Sequence, residues 1–66
     1  MGLTINGQSR QFPEPLSMRD LVERLELNGK RIAVERNGEI VPRSQFGSVR
    51  LADGDALEIV IAVGGG

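Results

Sequence analysis

Near its end the chain sets large apolar residues at every second position: Leu57, Ile59, Ile61 and Val63, with Glu58, Val60 and Ala62 between them. A period of two is what a strand with one buried face requires. The intervening positions are less polar than on a solvent-facing strand. That predicts a strand in the middle of its sheet, with the odd residues turned to the core. Leu3-Thr4-Ile5 shows the same alternation and is followed by Asn6-Gly7. Both residues tolerate positive φ, so a hairpin is expected, with Gln8 to Phe12 returning as the second strand. Pro13-Glu14-Pro15 ends it, because proline lacks the N–H donor and pushes its predecessor away from helix.

The period then changes to that of a helix. Met18, Leu21, Val22 and Leu25 fall on one face, with Arg19, Glu23 and Arg24 mostly off it. Ser17 can cap the free N–H groups at the start. Asp20, three residues on, completes a variant capping box and favours the positive end of the helix dipole. Asn28-Gly29 is the expected stop. Ile32 to Arg36 predicts a third strand, Asn37-Gly38 a second tight turn, and Glu39-Ile40-Val41 the return, halted by Pro42. Ser44-Gln45-Phe46 suits one short helical turn with Phe46 as a core plug. Val49-Arg50-Leu51 suits a weak edge segment, and Asp53-Gly54-Asp55 a turn.

Two hairpins separated by one helix, closed by an apolar strand, define an α+β chain. The expected architecture is a β-grasp (ubiquitin-like) fold: a mixed sheet of four to five strands with one main helix packed on one face. The first and last strands then pair in parallel at the centre of the sheet. Residues 1–63 form the expected domain, and Gly64-Gly65-Gly66 a flexible tail leaving the middle of the sheet's edge.

Composition narrows the chemistry. Sixty-six residues bury only about 60% of the surface of the unfolded chain, so the core is small. There is no cysteine and no histidine. Disulfides, a thiolate nucleophile, a Cys-based metal site and the commonest general base are therefore all missing. The formal charge is -1 and the only aromatics are Phe12 and Phe46. No basic stripe with stacking aromatics exists, so a nucleic-acid partner is not expected. No stretch is apolar and long enough to span a membrane, and no signal pattern opens the chain, so a cytoplasmic location is expected.

The triglycine is the remaining feature. It is not expected to cradle phosphate, a role that needs a helix start directly after the glycines. Its one reactive group is the α-carboxylate of Gly66. A lead without side chains, Gly64 and Gly65, can thread that carboxylate through a narrow channel to another protein's active site. There it could be converted to an acyl-adenylate with ATP. Ordering three glycines costs roughly 3–6 kcal/mol of backbone entropy. The folded body must therefore supply the affinity, and Val60 and Ala62, on the even face of the last strand, are the candidate docking patch. Arg43 is a further candidate contact; an exposed arginine after a strand is otherwise simply solvated. Pro42, Met18, and the Asp53/Asp55 pair are read as strand end, helix core and turn. No metal site is expected.

The run Asn37-Gly38-Glu39-Ile40-Val41-Pro42-Arg43 with Phe46, the Asp53-Gly54-Asp55 turn, and the apolar strand running into Gly65-Gly66 resemble the ThiS family, the sulfur carriers of thiamine biosynthesis. The resemblance covers essentially the whole chain. It implies that a ThiF-like adenylyltransferase, using ATP and magnesium, adenylates Gly66. Sulfur from a cysteine desulfurase then gives a thiocarboxylate, which a ThiG-like thiazole synthase consumes. The chain would be carrier and co-substrate, not an enzyme, and would hold no permanent cofactor. A carrier for molybdopterin synthesis, a protein modifier joined to lysines, and a plain interaction domain are the competing readings. If the tail is a free lead, Gly64, Gly65 and Gly66 show no protected backbone amides by NMR hydrogen exchange in the isolated protein; slow exchange there would contradict it.

Overall fold

The structure, a computed structural model, describes residues 1–13 and 15–62. Five strands, one α-helix and one 3₁₀ turn follow in the order β1 (Gly2–Ile5), β2 (Gln8–Gln11), α1 (Met18–Arg24), β3 (Ile32–Arg36), β4 (Glu39–Val41), the 3₁₀ turn (Arg43–Gln45) and β5 (Ala56–Ile61). The sheet order is β2-β1-β5-β3-β4. β5 is central, parallel to β1 and antiparallel to β3, and the helix covers one face, as the β-grasp expectation required.

Both hairpins turn on Asn-Gly with positive φ: Asn6 51° and Gly7 82°, Asn37 51° and Gly38 88°. That backbone hand matches the twist of the flanking strands. On β1, Leu3 and Ile5 are buried. They meet Val34 of β3, Leu57 and Ile59 of β5, and Met18, Leu21 and Val22 of the helix in one core. Phe46 is buried in the same cluster, as its reading as a plug required.

The helix starts where Ser17 and Asp20 place it. Ser17 Oγ accepts from the Asp20 N–H at 3.1 Å, and Asp20 Oδ2 accepts from the Ser17 N–H at 3.0 Å. The Ser17 backbone bond, helped by the Ser17 hydroxyl, holds the Asp20 carboxyl below its ordinary value. The end differs from expectation. Instead of reaching Asn28-Gly29, the helix closes at Leu25, and Glu26 turns to φ 59°. Leu27 N–H donates to Val22 O at 2.9 Å and Glu26 N–H to Glu23 O at 3.0 Å. These are the two bonds of a Schellman close, made here around a glutamate. The closure brings Leu27 against the core.

Four further expectations shift. The second strand stops at Gln11, and Phe12 folds into the core while its N–H donates to Met1 O at 2.9 Å. The short helical turn sits one residue earlier, at Arg43–Gln45. Val49-Arg50-Leu51 joins no sheet edge. It crosses the start of the helix, where Val49 O accepts from Met18 N–H and Leu51 N–H donates to Leu16 O. Ile61, expected in the core, is 44% exposed: a seven-residue helix does not cover the end of β5. Val63 and the expected tail Gly64–Gly66 lie outside the described residues.

The Asp53-Gly54-Asp55 turn does more than reverse the chain. Asp55 is buried at the mouth of β5. Its carboxylate accepts from Arg36 Nε at 2.8 Å, Asn37 Nδ2 at 3.0 Å and the Ala52 N–H at 2.8 Å. Asn37 Oδ1 in turn accepts from the Ala56 N–H at 2.9 Å, so the second hairpin is tied to the root of β5. Burial pushes the Asp55 carboxyl up. The Ala52, Asn37 and Arg36 hydrogen bonds, with the Arg36 charge, outweigh it and hold the group below the ordinary 3.8. A depressed folded value means stability that is present above pH 3.8 and lost as pH falls through the folded value. Asp55→Asn is expected to cost about 2 kcal/mol at neutral pH in denaturant unfolding. It should also remove this part of the acid dependence; an unchanged unfolding midpoint would contradict the assignment.

Candidate functional site

β5 sorts its side chains by parity. Leu57 and Ile59 face the helix, while Glu58 and Val60 face away on the open side of the sheet. Val60 is 62% exposed on a central strand, where a large apolar residue has no packing reason to be. Its cross-strand partner is Ala33. Two residues on, the Ala62 N–H donates to Arg31 O at 2.9 Å, the last backbone bond along this pair of strands among the described residues. Arg43 arrives from the 3₁₀ turn that follows β4 and Pro42, its Nη2 donating to Lys30 O at 3.3 Å.

Val60 and Ala62, chosen from sequence as one patch, and Arg43, chosen separately, therefore lie along one shallow depression. Arg31, Ile32 and Ala33 complete its lining, and its volume is about 220 Å³. Its lining is mainly apolar, with Arg31 and Arg43 at its border. It sits directly beside the point where the described chain ends. Gly64, Gly65 and Gly66 themselves lie outside the described residues. Among the described residues no group of three or more His, Cys, Asp or Glu side chains is placed to hold a metal ion. No helix is long and apolar enough to cross a membrane.

Sequence reasoning missed the β3 half of this face. Ala33 and Glu35 alternate with buried Val34, and the register sets them opposite Val60 and Glu58. Ile40, the partner of Glu35 on β4, is 76% exposed on the same face. The parity of β3 was available in the sequence. Its register against β5 was not, because the two strands are joined only through β4, the 3₁₀ turn and the Asp55 turn.

What fixes β5 in place is unexpectedly local to Asn6. Backbone pairing of β1 with β5 covers Thr4↔Ala56 and Ile5↔Leu57, and continues through the Asn6 N–H to Leu57 O at 2.9 Å. The Asn6 side chain then takes over. Its Oδ1 accepts from the Ile59 N–H at 2.8 Å and its Nδ2 donates to Ile59 O at 3.1 Å. The carboxamide replaces one peptide unit and extends the ladder to the residue before Val60. Asn6→Gly keeps the positive φ at no steric cost and removes only these two bonds. It is expected to lower stability by about 1–2 kcal/mol, and to speed hydrogen exchange at Ile59 most. Unchanged exchange at that amide would contradict the role given to Asn6.

A family model described as the ThiS family matches residues 3–66. The chain is 37% identical over 65 residues to the sulfur carrier protein ThiS of Bacillus subtilis, covering 97% of this chain and 98% of that protein. It is 46% identical over 66 residues to a thiazole synthase of Paramagnetospirillum magneticum. That match takes in all of this chain but only 20% of the relative, so the chain spans about a fifth of that protein's length. The crystal structure of the thiamine biosynthesis protein ThiS from Geobacter metallireducens superposes with a TM-score of 0.85 at 35% identity, covering both chains completely.

Proposed function

The chain belongs to the ThiS family, the sulfur carriers of thiamine biosynthesis, and we propose from that premise that its sulfur travels on the carboxylate of Gly66. The observation that carries this is the reach of the family match: it runs through the glycines to Gly66. Membership makes the chain a carrier rather than a catalyst.

The chemistry balances with groups supplied by others. A ThiF-like adenylyltransferase binds ATP and magnesium. The Gly66 carboxylate attacks the α-phosphorus, and pyrophosphate leaves. The acyl carbon of the resulting adenylate is then attacked by the outer sulfur of a persulfide, formed on a cysteine desulfurase or a carrier it loads. AMP departs with the carboxylate oxygen. A thiol cleaves the S–S bond of the acyl disulfide, leaving a thiocarboxylate on Gly66 and a disulfide on the donor side. A ThiG-like thiazole synthase takes the sulfur. The relative named thiazole synthase supports this last partner, since a segment like the whole of this chain forms part of it. The reactions run in the cytoplasm.

The body's share of the work is docking. Val60, Ala62 and Arg43 form the contact beside the glycines, and Gly64 and Gly65 let the carboxylate enter a narrow site. An apolar depression bordered by Arg31 and Arg43 suits a partner surface that is apolar with an acidic rim.

Intact mass spectrometry after incubation with ATP, magnesium, adenylyltransferase and a persulfide donor should show one oxygen replaced by one sulfur. Deleting Gly66 should abolish the shift. Val60→Asp should leave the unfolding midpoint nearly unchanged, since the residue is exposed, while lowering kcat/KM for adenylation at least tenfold. Absence of the sulfur shift under active conditions would overturn the reading, and a ladder of adducts on lysines would replace it with a protein modifier.

A further inference from the structure

The open face carries an order of charge that apolar docking does not need. From Ala62 down β5 it passes from Arg31 and Arg43, through Ala33 and Val60, to Glu35 and Glu58. Ile40 widens the apolar belt beside Glu35. Glu35 and Glu58 are direct cross-strand partners, both exposed, and neither makes an ion pair among the described residues. Directly opposed side chains have Cβ atoms about 4.5–5.5 Å apart, and like charges there destabilise a sheet. The free fold thus keeps a repulsion that a lysine at either position would turn into attraction. Meanwhile two of its arginines, with the Lys30 carbonyl held by one of them, collect at the opposite end of the face.

We propose that this face is read in a single orientation by the adenylating partner, through a lysine or arginine side chain that enters between Glu35 and Glu58 while acidic side chains meet Arg31 and Arg43. The inference rests on the carrier reading above. An apolar patch of Ala33, Ile40 and Val60 alone admits a partner in more than one rotational setting. The Gly66 carboxylate must arrive at one point. A cation placed between the two glutamates relieves their repulsion at the moment of docking, so association gains an interaction the free protein lacks. A partner turned end for end sets its cation against Arg31 and Arg43 and its acids against Glu35 and Glu58, and is rejected.

The test separates docking from folding. Glu58→Gln, the Glu35→Gln/Glu58→Gln pair and Glu58→Lys are measured by thermal unfolding and by adenylation kinetics with the activating enzyme and ATP. Each variant is expected to melt at or above the wild-type temperature, Glu58→Lys highest because it pairs with Glu35. Each is also expected to raise KM for the carrier, about tenfold for the double variant and more for Glu58→Lys, with kcat at saturation unchanged. Stability and docking moving in opposite directions supports the proposal. A wild-type KM in all three variants, alongside normal adenylation of the wild-type chain, overturns it and leaves the carrier reading standing. Failure of the wild-type chain to be adenylated overturns both.

Discussion

The last strand must be held on both sides along its length, and the two sides are held by different means. Against β3 the ladder is ordinary and runs from Arg36↔Leu57 to Ile32↔Ile61. Against β1 it has only two paired positions before β1 must turn back into its hairpin. The Asn6 carboxamide completes the ladder to Ile59 from inside that turn. The same asparagine therefore serves two demands, the positive φ of the hairpin and the peptide-like pairing of β5. Asp55 does the matching work at the other end of the strand, where it gathers Arg36, Asn37 and the Ala52 amide. A core this small gives a central strand few redundant contacts. Polar clamps before its first residue and at Ile59 therefore hold the strand where the backbone ladder to β1 runs out.

That division explains what was legible in the sequence. Period-two alternation found β1 and β5, and the two Asn-Gly pairs found both hairpins, because each signal is local and each residue type has one physical reason to be there. The helix start was legible for the same reason: Ser17 and Asp20 satisfy each other's amides. Its end was not, since a glutamate at φ 59° carries no mark in the sequence, and Asn28-Gly29 offered a more conventional stop. Ile61 was misplaced because alternation gives parity but not the length of the helix that must cover it. Val49 to Leu51 looked like strand by composition. Its partners lie around Leu16 and Met18, across more than thirty residues of chain, and no local pattern encodes them.

The site shows the same split. Val60 and Ala62 followed from parity on β5 and Arg43 from its place just after the strand that Pro42 ends, and the fold sets all three along one depression. The β3 contribution required the register, which arises only when Asp55 and Asn37 bring the second hairpin to the root of β5. Asp53 and Asp55, alike in sequence, separate on the same ground. Asp53 accepts from the exposed Gly2 amide at 2.6 Å, while Asp55 is buried with three donors.

A face with Val60 exposed and two glutamates opposed is a poor choice for a solitary domain. Each departure is affordable because it sits in solvent: exposed charges are screened by water and salt, so their repulsion costs the free fold little. Once a partner covers the face, the same groups lose that screening and their interactions grow. On the docking proposal the pair costs the free chain a small part of its stability and acts most strongly once the partner covers it, which is the behaviour a carrier needs. A carrier must leave each partner as well as find it. An apolar area large enough to fix orientation by shape alone would hold too long, whereas a modest patch bounded by opposite charges sets direction with little added area. The clamps at Asn6 and Asp55 make that direction meaningful, because they fix the position of β5 relative to the charges beside it.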